Sequence, residues 1–377
     1  MTIINFIWNY AVTFIFVLSV LVFVHEFGHY WVARRCGVRI EAFSIGFGPE
    51  LWGKQDRAGT RWKVCLFPLG GYVKMFGDAD PASMTHDDNQ EMSEEDRKVS
   101  FVHQSLPKRF AVVAAGPGAN FLFAAIVLAG LFVFYGQPYT PPEVGTVAAD
   151  SAAEAAGLKT GDTIVDINGQ TIDRFEQIQQ IVRMSPGRAL TIAVMRNEQR
   201  VVVNATPKIS QTADRFGNIQ AIGLLGIGRH GMEYRRHDPF TAVWKAGVEI
   251  ADIVAATLTA VGQMIAGTRA ADELGGPLRI AQMSGEVAQN GFISVLWFMA
   301  MLSVNLGLIN LFPIPLLDGG HLLFYSVEAV RGRPLSSRAQ EYSFRVGLAL
   351  VLSLMVFATW NDLSHLRIIA FFKNFIS

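Results

Sequence analysis

The chain has 377 residues, of which 51% are hydrophobic and only 17% charged, and 32 Lys and Arg residues balance 32 Asp and Glu residues. Soluble domains are nearer a quarter charged, so this composition disfavours a fully soluble enzyme. The apolar content argues against a disordered chain, and the zero net charge against a nucleic-acid binder. Two cysteines, Cys36 and Cys65, are too few for a disulfide framework, and free thiols are the simpler interpretation.

The first predicted element is a transmembrane helix over residues 1–34. Residues 1–25 carry no Asp, Glu, Lys or Arg, and Ile3–Val24 is mostly apolar. A helix needs about 20 apolar residues to span the bilayer core. The segment lacks the basic start and the small-residue cleavage site of a signal peptide, so we expect it to be retained.

This helix ends in the motif His25-Glu26-Phe27-Gly28-His29, which is HExxH. Residues four apart share one helix face, so His25 and His29 can bind one Zn²⁺ while Glu26 acts as general base. The plain alternative is a cluster of polar residues at the membrane interface. Ionisable groups at the end of a membrane helix are costly and usually functional, which favours the metal site.

Residues 35–105 are predicted to hold a β-hairpin and an acidic loop. The segments 43–48 and 62–67 have the pattern of two strands, and Gly70, Gly71 and the residues to Met75 continue the second. A solvated cytoplasmic hairpin is one interpretation, and a hairpin that dips into the membrane is the other. Asp78–Asp96 contains acids and no Lys or Arg, which is typical of a solvated loop.

Residues 106–137 are predicted to be the second transmembrane helix, since no charge lies between Arg109 and Glu143. Basic residues flank the predicted membrane segments on one side. By the positive-inside rule this side is cytoplasmic, so both termini and the segment 138–290 face outward. The basic residues are Arg34, Arg35, Arg39, Lys108, Arg109, Arg331, Arg333, Arg338 and Arg345.

Residues 138–208 are predicted to form a compact β-rich domain. Ser151–Gly157 is a short helix ending in glycine, and Asn168-Gly169 is a strong hairpin signal. Phe175, Ile178 and Val182 lie at helical spacing, and residues 190–196 and 201–205 alternate as strands. Residues 206–235 are rich in glycine and polar residues, which indicates a linker.

Residues 209–290 are predicted to be this linker followed by amphipathic helices on the outer face. The stretch Ile253–Thr268 is free of charge but diluted by small and polar residues. A helix on or dipping into the membrane surface therefore fits better than a fifth span.

Residues 291–330 are predicted to be the third transmembrane helix, which ends in Asn310-Leu311-Phe312-Pro313-Ile314-Pro315-Leu316-Leu317-Asp318-Gly319-Gly320. Catalytic zinc takes three protein ligands and a water, and Asp318 is the candidate for the third. Asp-Gly-Gly could instead be a simple turn, but the prolines break the helix before it. For Asp318 to meet His25 and His29, the first and third helices must cross in the same direction, which excludes a crossing by residues 253–268.

The fourth transmembrane helix is predicted within residues 338–377. Its charge-free core, Val346–Asn361, needs flanking residues to reach the bilayer thickness. The predicted fold is thus a polytopic α-helical membrane protein of four transmembrane helices, with a membrane-associated β-hairpin and an inserted β-rich domain.

Taken together, the sequence resembles the site-2 protease family of intramembrane zinc metalloproteases, in particular the bacterial regulator of sigma-E protease type. The motifs that carry this resemblance match in order and spacing over nearly the whole chain: HEFGH at 25–29, GPGAN at 116–120 and NLFPIPLLDGG at 310–320. Residues 138–208, with the run AGLKTGDTIVDING, look like one circularly permuted PDZ domain.

The resemblance implies one Zn²⁺ per chain bound by His25, His29 and Asp318, with Glu26 as base and Asn310, Pro313 and Pro315 positioning the substrate. It also implies a hairpin that dips into the membrane, and we predict that Gly70, Gly71 and Asn120 contribute to substrate binding. A PDZ domain captures peptide termini by strand addition. We predict that its groove is formed by Val144, Gly145, Thr146 and Val147 and by Phe175, Ile178 and Val182, although these last three could simply be core residues.

The function so implied is cleavage of single-span membrane proteins in the bacterial inner membrane, such as a membrane-bound anti-sigma factor or leftover signal peptides. The active site would lie near the cytoplasmic side and contact lipids, the PDZ domain would lie outside, and nucleic acid is not an expected partner. The alternative is a non-proteolytic membrane adaptor with a structural zinc site. Structural zinc prefers four protein ligands, and only three candidates are present. A transporter with a zinc-dependent gate lacks the expected inverted repeats.

Overall fold

A computed structural model describes residues 8–78, 92–213, 219–231, 233–267 and 275–365 of the chain. These residues form two compact units, one of Met1–Gly130 with Val243–Ser377 and the other of Leu131–Ala242. The first unit is mainly helical and the second mainly β, as the distribution of charge-free segments predicts.

The described helices are α1 (Thr13–Arg35), α2 (Glu94–Val99), α3 (Leu106–Phe134), α4 (Ala152–Ala155), α5 (Phe175–Arg183), α6 (Pro239–Ile265), α7 (Pro277–Gln289), α8 (Phe292–Asn310), α9 (Asp318–Arg331) and α10 (Ser337–His365). The described strands are β1 (Ile40–Gln55), β2 (Arg61–Met75), β3 (Gln137–Tyr139), β4 (Val144–Val147), β5 (Thr163–Ile167), β6 (Gln170–Thr171), β7 (Leu190–Arg196), β8 (Gln199–Ala205), β9 (Lys208–Ala213), β10 (Ile219–Leu224), β11 (Ile227–Arg229) and β12 (Glu233–Arg235). A turn of π-helix, Trp8–Val12, precedes α1.

Helices α1 and α3 pack together through two apolar clusters, one on each side of the HExxH motif, and α8 joins the first of them. Val17 and Leu21 of α1 pack with Val295 and Met299 of α8, and Phe123 of α3 lies against the same cluster. The second cluster is formed by Ala33, Val38, Ile40, Met75, Phe101, Val112 and Val113. The motif therefore lies on a stretch of α1 that is fixed by packing above and below it.

The same contacts define the directions of the helices. The start of α1 packs with the start of α8, and the histidines further along α1 meet Asp318, which follows the end of α8. Helix α3 runs the other way, because Phe123 lies near the start of α1 and Val112 near its end. Thus α1 and α8 are parallel, as the predicted site requires.

Five described helices are long and apolar enough to cross a membrane: Tyr10–Arg35, Leu106–Phe134, Pro239–Ile265, Phe292–Asn310 and Arg338–Leu363. Large apolar side chains such as Phe16, Leu122 and Ile126 are more than half exposed on the helices. Exposed apolar surface of this kind is expected where helices face lipid.

Two boundaries differ from the predicted transmembrane helices. The predicted third span, 291–330, consists of two helices, α8 and α9, and Pro313 and Pro315 lie in the loop between them, where the sequence predicts a break before Asp318. Residues 253–265 of the stretch 253–268 belong to the much longer α6, whose Thr257 hydroxyl lies 3.0 Å from Oδ1 of Asn305 in α8, and residue 268 lies outside the described residues. By length and composition, α6 is therefore as able to cross a membrane as the four helices predicted to span it.

Strands β1 and β2 form an antiparallel hairpin with several register shifts. The shifts allow Ala42–Ile45 to pair with Arg61–Val64 on one side and with residues 71–74 on the other. The turn is fastened to α1 by Asp56, which accepts hydrogen bonds from Tyr30 (3.3 Å) and Trp62 (3.2 Å). Burial would raise the pKa of Asp56, but the bonds from Trp62 and from backbone N–H groups hold it below its ordinary value.

The acidic loop predicted over Asp78–Asp96 lies mostly outside the described residues. Its end is α2, whose first turn contains Glu94, Glu95 and Asp96. The Ser93 hydroxyl accepts from the Asp96 N–H (3.1 Å), which is a normal N-cap.

The second unit is built on the four-stranded sheet β6-β5-β7-β8. Asn168 and Gly169 both have positive φ (53° and 85°) between β5 and β6, which is the two-residue hairpin turn that their sequence predicts. The core of the unit contains Ile164, Ile178, Leu190 and Ile192, each at most 2% exposed. Arg196, the last residue of β7, joins this strand to the residue before β5 through two 2.7 Å hydrogen bonds to the buried carboxylate of Asp162.

The stretch 206–235, predicted as a linker, instead forms strands of this unit. Strands β9 and β10 pair with each other, β11 pairs with β4, and β12 pairs with β3. Leu225 is only 2% exposed in the core. The glycines and polar residues of the stretch 206–235 obscure the alternation of apolar and polar residues that indicates a strand. Short edge strands need few apolar side chains, so this signal is weak in them.

Candidate metal and catalytic site

His25, His29 and Asp318 converge at one point between α1 and α9. Nε2 of His25 lies 3.2 Å and Nε2 of His29 lies 3.5 Å from Oδ2 of Asp318, and the two Nε2 atoms are 3.3 Å apart. The two histidines share one face of α1 because they are four residues apart. One ligand atom from each residue lies within 4.8 Å of the other two, so the three side chains could bind a single metal ion.

The chemistry and the space of this cluster fit zinc. Two imidazole nitrogens and a carboxylate are ligands that zinc accepts, and three protein ligands leave a position for water. Gly116 of α3 faces the cluster without a side chain. A Cβ at that position would lie 2.9 Å from Cε1 of His25 and would clash with the ring of His29.

Glu26 lies beside this cluster and against the hairpin. A Cβ added to Gly71 would lie 3.1 Å from Cγ of Glu26 and 2.8 Å from Cγ1 of Val22. The predicted substrate-binding pair Gly70-Gly71 therefore passes close to Glu26, and only glycine permits this approach. Gly70 itself has φ of 149°, which is strained for other residues.

Helix α3 supports the histidines from behind. Nδ1 of His29 lies 2.9 Å from the Val112 carbonyl, and the side-chain amide of Asn120 lies 3.1 Å from Nδ1 of His25. Asn120 is 0% exposed. The structure thus places Asn120, which is predicted to contribute to substrate binding, fully buried behind a candidate metal ligand.

The loop between α8 and α9 begins after Asn310, the last residue of α8, and contains Pro313 and Pro315. It folds back tightly, because a Cβ at Gly319 or Gly320 would meet loop backbone. Leu316 has φ of 95°, an unfavourable conformation for a leucine. Strained backbone of this kind is concentrated at functional sites, and this residue lies two positions before Asp318.

An ion pair fixes the helix that carries Asp318. Arg109 of α3 and Glu328 of α9 lie 2.6 Å apart, and each side chain is 16% exposed. The Arg109 guanidinium also lies over the ring of Tyr325, at 4.9 Å. Helix α9 is thereby held against α3, which also supports both histidines.

The predicted peptide groove of the second unit is not formed as expected. Val144, Gly145, Thr146 and Val147 are the strand β4, and its edge is taken by β11. On the other side, the Val144 backbone pairs with Gly161 and Asp162. Phe175, Ile178 and Val182 are at most 5% exposed in the core cluster, so they serve as core residues.

Sequence reasoning missed three parts of the site: the Val112 carbonyl, the strained Leu316 and the pair Arg109–Glu328. A backbone carbonyl and a φ angle carry no residue signature. The ion pair joins residues far apart in the sequence, and both look like ordinary charges near a helix end.

Two histidines and a glutamate of an HExxH motif beside a distant aspartate, in a bundle of apolar helices, are the arrangement expected of a membrane metallopeptidase. The chain belongs to peptidase family M50, the site-2 proteases, whose family model matches residues 13–354. The resemblance in the sequence is thus confirmed.

Similar curated proteins extend over nearly the whole chain. A protein of Agrobacterium fabrum, provisionally named a zinc metalloprotease, is 46% identical over 367 residues, which are 96% of this chain and 97% of that protein. A protein of Rhizobium meliloti with the same provisional name is 46% identical over 359 residues, 94% of this chain and 96% of its own length. Metalloprotease MmpA of Caulobacter vibrioides is 38% identical over 384 residues and 96% of each chain.

Proposed function

We propose that this protein is a zinc-dependent endopeptidase that hydrolyses a peptide bond within the transmembrane segment of membrane-protein substrates. The observation that carries the proposal is the convergence of His25, His29 and Asp318 beside Glu26, in a helix bundle with exposed apolar faces. Membership of family M50 and the names of the relatives support both zinc and proteolysis.

One Zn²⁺ would be held by Nε2 of both histidines and by the Asp318 carboxylate. When bound there, zinc makes a water acidic enough to lose its proton near neutral pH and polarises the scissile carbonyl. Glu26 takes the proton from the attacking water and then returns a proton to the leaving amine. Its position next to the histidines on the same helix turn suits this exchange.

The substrate is expected to be a transmembrane helix, which must unwind because its carbonyls are occupied by internal hydrogen bonds. Strand residues 71–74 pair with β1 on one side and lie beside Glu26, so an unwound segment could add to their outer edge. Asn310, Pro313 and Pro315 would position the segment from the side of Asp318.

The proposed topology has four spans, with both termini outside the cytoplasm of a bacterial inner membrane. The parallel directions of α1 and α8 support it, because a crossing by α6 would need a return before α8. Among the described residues, the helix between α6 and α8 is α7, which has 13 residues, or about 20 Å, against a bilayer core of about 30 Å. Tags inserted after residue 230 and after residue 285 should therefore report the same outer compartment.

The unit of residues 131–242 would face outward and bind peptide termini as a PDZ domain. The run at 156–169 supports this proposal. Strand β11 pairs with β4, and within the described chain no strand pairs with its other edge. A peptide would therefore add to Ile227–Arg229 in place of the strand predicted from the sequence.

The test is cleavage of a single-span substrate by the purified protein in detergent micelles, with zinc content measured on the same samples. Glu26→Gln should keep zinc and lose cleavage, and the exposed Glu176→Gln in α5 is the matched control. Full activity of Glu26→Gln would overturn the proposal. An adaptor would bind zinc and peptides and cleave nothing even as the wild type.

A further inference from the structure

The two histidines of the cluster are supported on their second ring nitrogens by different groups. Nδ1 of His29 faces a backbone carbonyl, that of Val112, at 2.9 Å. Nδ1 of His25 faces Nδ2 of the Asn120 side chain at 3.1 Å. A carbonyl can only accept a hydrogen bond, whereas an amide side chain can donate through nitrogen or accept through oxygen.

This difference determines which ring nitrogen of His29 carries the proton, but it leaves both possibilities open for His25. A neutral imidazole has one N–H, and the nitrogen that binds a metal must be bare, so the other must donate. The Val112 carbonyl requires N–H on Nδ1 of His29, which leaves Nε2 bare. Nδ1 of His25 lies 3.1 Å from the Asn120 amide, which could donate to it or accept from it, and Nε2 of His25 lies 3.2 Å from Oδ2 of Asp318.

Asn120 is built to serve both forms of His25. Its side chain is 0% exposed, and Oδ1 is buried without a hydrogen-bond partner among the described residues. Its backbone carbonyl accepts from the Ser303 hydroxyl of α8 at 2.8 Å, which holds the residue in place. Because the oxygen and nitrogen of an amide are nearly equal in size, turning the group over changes no packing. The turn also breaks no hydrogen bond except the one that it replaces.

We propose, on the basis of the zinc site in the proposed function, that Asn120 is a positioning residue for the metal ligand His25. With a metal bound at Nε2 of His25, Oδ1 of the Asn120 amide would accept from Nδ1–H. Asn120 thereby stabilises the ring orientation and the proton position that metal binding needs.

The test is the zinc dissociation constant of the full-length protein in detergent micelles, measured by competition with a chelator. Asn120→Leu has a similar shape and no acceptor, and should weaken zinc binding about 10- to 100-fold. Asn120→Asp keeps an acceptor at Oδ1 and should bind zinc at least as tightly as the wild type. Asn305→Leu in α8, whose amide lies near Thr257 and away from the cluster, should leave the constant unchanged.

The order of the variants separates positioning from packing. A residue that only filled space would tolerate the apolar leucine and would suffer more from a buried carboxylate. A zinc dissociation constant of Asn120→Leu equal to that of the wild type would overturn the inference. Weaker zinc binding by Asn120→Asp than by Asn120→Leu would overturn it as well. If Asn120→Leu does not fold, Asn120→Ala takes its place against Asp. A wild type that binds no zinc at all would instead refute the proposed function.

Discussion

Nε2 of His25 and Oδ2 of Asp318 lie 3.2 Å apart although α1 and α9 are at opposite ends of the chain. A carboxylate this close to two imidazoles is placed to complete a metal site with them. Asp318→Asn keeps the shape and removes the charge, so we expect zinc to bind at least 10-fold more weakly. Elemental analysis and chelator competition would measure this. Asp252→Asn, an exposed carboxylate of α6, is the control, and equal zinc binding by Asp318→Asn would contradict the assignment.

Gly28 sets the distance between α1 and α3. A Cβ there would lie 2.7 Å from Cβ of Ala119 and would meet the Ala115 carbonyl. Gly28→Ala should therefore force the helices apart and lower the free energy of unfolding by about 2 kcal/mol. Gly118→Ala, in α3 with nothing within 4 Å, should be neutral or stabilising by about 0.5–1 kcal/mol. Thermal unfolding in micelles would compare the stabilities of Gly28→Ala and Gly118→Ala. Equal stability of the two variants would show that α1 and α3 are not in tight contact at Gly28.

Leu316 stores strain in the loop before Asp318. Its φ of 95° suits glycine, and its side chain is 42% exposed, so truncation removes little packing. Leu316→Gly should raise the free energy of unfolding by about 1 kcal/mol. Leu317→Gly, at a residue whose φ is −94°, should instead lower it, because glycine there only adds chain entropy. Destabilisation by both substitutions would remove the evidence for strain.

Asp162 makes the second unit sensitive to acid. Burial alone would raise the pKa of Asp162, but hydrogen bonds from Arg196 and from the Lys159 N–H hold it below its ordinary value. A carboxyl with a lowered pKa in the folded state stabilises fully above its unfolded pKa of about 3.9 and loses this as the pH falls through the folded pKa.

As the pH falls from 7 through the folded pKa of Asp162, the strands β5 and β7 should therefore lose about 2 kcal/mol of protection. Hydrogen exchange of their amides in the full chain would detect it. Arg196→Met should remove most of the pH dependence at a cost in stability at pH 7. An unchanged pH profile in Arg196→Met would assign the dependence to other groups.

The sequence predicted the helical scaffold and the chemistry better than the β structure. HExxH at one helix end and an aspartate after a proline-broken helix are local patterns with a direct chemical meaning. The strands at 208–213, 219–224 and 227–229 escaped prediction because they are short and interspersed with glycines and polar residues, and β4, the partner of β11, lies far away in the chain. The groove was misplaced for the same reason, since the strand that covers β4 was taken for a linker.

The direction of the helices also has a consequence for how the protein is made. His25 and His29 leave the ribosome early, whereas Asp318 follows only after the whole second unit and α8. A nascent chain carries two of the three candidate ligands through most of its synthesis, and α8 must insert parallel to α1 before the third can arrive. Under the proposed function, the metal site therefore becomes complete only when insertion of the chain is nearly finished.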